Sequence, residues 1–147
     1  MPLSREAIIG RASLELRGAA NAASQGPLAD AARAQAAVAT PATGPADVLL
    51  VDVTRLSGAG ASDVPATPAA VRVVGLTLAF DACTADDEHG VPLDRLIGPF
   101  GVLDVTPEGL VIVEVALGVS ARDLQEQSSA PLLAGPSLGP VRVSDPA

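Results

Sequence analysis

Residues 103–130, LDVTPEGLVIVEVALGVSARDLQEQSSA, decide how the chain folds. Val102, Leu103 and Val105 form the end of a strand. Thr106-Pro107-Glu108-Gly109 then breaks it, because proline pre-sets φ at the second position of a turn and glycine suits the closing position. Leu110 to Val115 resumes as a strand rich in β-branched residues, and Gly118 stops it. Ser120 is placed to cap a new helix, with Asp123 three residues on as the partner of a capping box, a position that favours Glu or Gln. The order is strand, tight turn, strand, short helix.

Composition sets the frame for this hairpin. The 147 residues suit one domain with a real core. Phe80 and Phe100 are the only aromatics, so the interior must be built from Val, Leu and Ile, as in a β-rich or α/β core. The net charge is −8, and all nine positive charges are arginines. An acidic surface with no basic patch argues against nucleic acid and anionic membranes as partners. The single Cys83 excludes an intramolecular disulfide. No apolar segment follows a basic start, as a signal peptide would require, and no run of about 18 apolar residues suggests a membrane span. The expectation is a cytoplasmic protein.

The remaining segments follow in chain order. Ser4 is a plausible N-cap, with Glu6 in the first turn where the helix dipole favours negative charge. Ile8, Ala12 and Leu16 share a face, with Ile9 beside them, and Gly18 is the expected stop. A second, alanine-rich helix is expected over Leu28–Val38. Val48-Leu49-Leu50-Val51 reads as a buried strand, 61–70 as a Pro/Ala linker, and Val71–Leu78 as another strand. Residues 81–90, DACTADDEHG, gather Cys83, Asp86, Glu88 and His89, all metal-ligand types. Their spacing matches no closed zinc pattern, so a solvated acidic loop is expected and no metal site. The same segment shows no orienting partner for a Cys–His dyad. Residues 1–133 are expected to form the domain and 134–147 a flexible Pro/Gly-rich tail.

Residues 105–125, VTPEGLVIVEVALGVSARDLQ, resemble the C-terminal signature of the β (B) subunit of family I coenzyme A transferases. LSREAIIGRASLELR (3–17) is similar to the first helix of those subunits, VRVVGLTL (71–78) to a late buried strand, and PLDRLI (92–97) to the segment leading into the signature. The resemblance implies an α/β fold: an open, mostly parallel sheet with flanking helices, shortened by loss of part of the central block. It implies transfer of CoA between an acyl-CoA and a carboxylic acid such as a 3-oxoacid, with a CoA thioester as substrate and no bound cofactor. It also implies a partner, an α-like subunit, with a homo-oligomer as the other possibility. In PLDRLI, Asp94 and Arg95 are expected near a sheet edge.

Two segments depart from the family pattern. The family's glycine-rich turn, which opens the second helix, survives here as Asn21 and Gly26-Pro27, with Ala22, Ala23, Ser24 and Gln25 between them. DVLLVDVTRLSGAG (47–60) fits the family segment at Asp47, Val48, Leu50, Leu56, Gly58 and Gly60. The family glutamate, the nucleophile that carries CoA as a thioester, then falls on Val53. Its neighbours fall on Thr54 and Arg55. Valine has no nucleophilic atom. Asp52 is the only substitute at hand, but strand alternation turns it to the opposite face. By resemblance, Gly26, Gly58 and Gly60 are the CoA-binding positions, and no catalytic residue is assigned. Two further accounts stand beside the transferase: a non-catalytic structural or regulatory partner of an α-like subunit, and a decayed family member.

Overall fold

A computed structural model describes residues 3–41, 44–58, 60–79, 83–84, 90–116, 118–128 and 130–140, the last six by backbone alone. Seven strands make one sheet in the order β1-β2-β4-β6-β7-β8-β9. They are β1 (Ala22–Gln25), β2 (Ala46–Asp52), β4 (Ala70–Leu76), β6 (Arg95–Gly98), β7 (Gly101–Thr106), β8 (Gly109–Val115) and β9 (Leu132–Pro140). The first four run parallel, β6-β7-β8 are antiparallel, and β9 returns parallel to β8. The fold is thus α/β with a mostly parallel sheet. Two short strands, β3 (Leu56–Ser57) and β5 (Cys83–Thr84), pair separately.

β2 is buried on both faces, as an interior parallel strand must be. Val48 and Leu50 join Val74, Leu76, Ile97 and Val102 under two helices, α1 (Arg5–Leu14) and α2 (Pro27–Ala36). Leu49, Val51 and Val53 join Leu96, Leu103, Leu110 and Ile112 on the other face, where a short helix, α3 (Ala121–Glu126), also packs. The expected gap in the central block leaves no break in the sheet, since β2 pairs directly with β4 across the linker.

The hairpin forms as its residues dictate. Pro107 and Glu108 make the turn between β7 and β8, and Gly109 takes a φ of 126°. Ser120 caps α3 with a complete capping box, its hydroxyl accepting from Asp123 N and the Asp123 carboxylate from Ser120 N. Ser4 caps α1 by accepting from Ala7 N, and Ile8, Ile9, Ala12 and Leu16 are buried.

Four expectations need correction. First, residues 22–25, expected as the middle of a turn between Asn21 and Gly26-Pro27, form strand β1. Weak strand formers pair here because Asn21 Oδ1 accepts from Asp47 N while Asp47 Oδ2 accepts from Ala20 N, which clasps the segment to β2. Second, the segment from 134 onward does not begin as a loose tail. Its first seven residues continue β9 along β8, while 141–147 lie outside the described residues. Third, α1 ends at Leu14, not at Gly18, and α2 ends at Ala36, with Ala37 in the left-handed conformation at φ 56°. Fourth, Arg95 is not at a sheet edge. β6 lies between β4 and β7.

Arg95 belongs to a half-buried ion network that the sequence did not announce. Glu15, at the C-terminal end of α1, is at its centre. It receives Arg11 Nη1 at 2.6 Å, Arg72 Nη2 at 2.9 Å and Arg95 Nη1 at 2.9 Å. Arg11 also grips Glu114 through Nε and Nη2, and Arg95 grips Asp104 the same way. Three guanidinium groups and three carboxylates thus tie α1 to β4, β6, β7 and β8. Burial alone would raise the Glu15 carboxyl, but the hydrogen bond from Arg11 and the charges of Arg95, Arg11 and Arg72 hold it below its ordinary value. Removing Glu15 leaves three guanidinium groups to two carboxylates, with Arg11 still on Glu114 and Arg95 still on Asp104. Glu15→Ala should therefore cost about 2–3 kcal/mol in urea unfolding, below the range for a fully buried pair. Because the folded-state pKa is depressed, the stabilisation is present above pH 4.5 and lost as pH falls below it toward the folded value. Glu15→Gln should flatten that acid limb of the stability curve.

Candidate functional site

β2 and β4 end side by side, and an open cleft lies beyond their carboxyl ends. This is where open α/β sheets hold ligands. Arg5 from α1, Pro27 and Leu28 from α2, Asp52, Val53 and Thr54 after β2, Asp63, and Leu76 to Ala79 after β4 line it. The structure therefore brings together Asp52 and Val53, the two positions singled out in the sequence, with Arg5, Asp63 and Thr77, which were not.

Val53 is turned into the core. It is 4 % exposed, lies in the apolar cluster with Leu49 and Val51, and donates its backbone N–H to Leu76 O at 2.9 Å. Asp52 faces the other way, as alternation requires, and its carboxylate is fully engaged. Oδ2 accepts from Leu28 N at 2.9 Å and Oδ1 from Ala29 N at 2.7 Å. α2 begins at Gly26 with no side-chain cap of its own, so Asp52 satisfies its first amides from across the sheet and sits at the positive end of the helix dipole. The backbone at Gly26 has φ 107°, and a Cβ there would fall 2.5 Å from Asp52 Cγ. Glycine is required there by the approach of Asp52.

Asp63 closes the loop after β2. It accepts from Thr54 N, the Thr54 hydroxyl and Arg55 N. Burial alone would raise its pKa, but these donors outweigh it and hold the carboxyl below its ordinary value. Gly60, at φ 93°, lies where a Cβ would collide with Val105 Cγ1 and so joins this loop to the hairpin, while Gly58 has only Ala130 Cβ nearby, at 3.7 Å. Neither lines the cleft. The signal missed in the sequence was Asp63, whose spacing of nine residues from Thr54 has no local pattern.

Cys83 lies elsewhere, buried between β3 and an apolar crevice lined by Leu96, Phe100, Leu103 and Leu124. Burial pushes its thiol up to about 11, against a lowering hydrogen bond with Ser128. Among the described residues no group of His, Cys, Asp and Glu could hold a metal, and Asp86, Glu88 and His89 lie outside them. No helix among the described residues is long and apolar enough to cross a membrane.

With cleft and sheet in place, the architecture can be assigned: the chain has a CoA-transferase fold. It superposes on the decarboxylase AibA/AibB with a TM-score of 0.74 at 13 % identity, over 99 % of this chain and 91 % of that one. It matches glutaconate coenzyme A-transferase from Acidaminococcus fermentans with a TM-score of 0.67 at 8 % identity, over 98 % and 91 %. It also matches an acyl-CoA transferase from E. coli O157:H7 (YdiF), in a thioester complex with CoA, with a TM-score of 0.71 at 15 % identity, over 96 % of this chain and 44 % of that one. No protein-family model and no curated protein matches the sequence.

Two outcomes follow from this geometry. Asp52→Ala should lower stability by about 1–2 kcal/mol, as loss of an N-cap does, with Asp52→Asn intermediate, both measured by thermal unfolding. Cys83 should resist iodoacetamide in the native protein at pH 7.5 and label rapidly once denatured, since the thiolate is the reactive form.

Proposed function

We propose that this chain is a β-like subunit of CoA-transferase fold that does not transfer CoA through an acyl-enzyme carboxylate, and that it works with an α-like partner. One observation carries the reading. At the end of β2, where the resemblance puts the nucleophile, the side chain is a valine packed into the core, and the adjacent carboxylate is held by two helix amides. A carboxylate with both oxygens occupied by backbone amides and aimed at α2 is badly placed to attack a thioester carbonyl.

The comparisons support the remaining parts. The similar chains include CoA-transferases, which makes a CoA thioester the natural ligand class, and a decarboxylase, so the fold is compatible with chemistry other than transfer. AibA/AibB carries a two-component name, in keeping with an α-like partner for this chain. A non-catalytic structural or regulatory role in such a pair is the narrower form of the same proposal.

The test is direct. The protein, alone and with a co-expressed α-like subunit, is incubated with acetyl-CoA or succinyl-CoA, treated with borohydride and examined by peptide mass spectrometry. No carboxylate should be found reduced. Reduction at Asp52, or at any other carboxylate, would establish a protein thioester and overturn the proposal.

A further inference from the structure

We draw no further inference here: the strongest candidate, the apolar crevice beside the β6–β7 turn that Leu96, Phe100, Leu103 and Leu124 line together with the buried Cys83, carries none, because nothing in the structure shows what occupies or covers it and a lone buried thiol does not make a site.

Discussion

Burial of β2 on both faces is the constraint from which most of the structure follows. From Leu49 to Val51 no side chain reaches water, so the strand must lie inside a sheet with α1 and α2 on one side and α3 with its flanking loops on the other. Asp52 is the first residue at its carboxyl end that cannot enter the core. Its carboxylate needs donors, and the uncapped start of α2 needs an acceptor. Each satisfies the other at 2.7 and 2.9 Å. That contact fixes the height of α2 over the sheet, demands glycine at position 26, and sets one wall of the cleft.

The opposite end of the sheet is governed by charge. Glu15 draws three arginines from three elements, and Arg11 and Arg95 each pass the connection on to a further carboxylate. The network balances three positive against three negative groups, so the cost of burial is offset within it. It fastens the C-terminal end of α1 and leaves the N-terminal end, with Arg5, facing the cleft. Three of the nine arginines thus serve this network, while Arg5 lines the cleft.

The hairpin and short helix after Leu103 were legible residue by residue because their signals are local. Pro107 and Gly109 set the turn, β-branched runs set the strands, and Ser120 with Asp123 sets the cap. β1 was not legible, since Ala-Ala-Ser-Gln has no strand preference and forms one only where Asn21 and Asp47 hold it against β2. β9 was hidden for a similar reason. A stretch rich in Pro and Gly reads as loose until a neighbouring strand edge supplies its partners. At the site, the opposite facing of Asp52 and Val53 followed from strand period, but the engagement of Asp52 did not, because its donors come from 23 and 24 residues away.

The sequence by itself determined the α/β class, the buried strand at 48–51, the hairpin, the caps at Ser4 and Ser120, and a valine at the position that the resemblance gives to the nucleophile. These depend on periodicity, turn chemistry and residue type, all of which act over a few residues. Tertiary structure decided the seven-strand order, the ion network around Glu15, the capture of Asp52 by α2, and the placing of Arg5 at the cleft. Those depend on which charges and which backbone amides meet across the fold, and a carboxylate or guanidinium acquires its role only from the partner that packing brings to it.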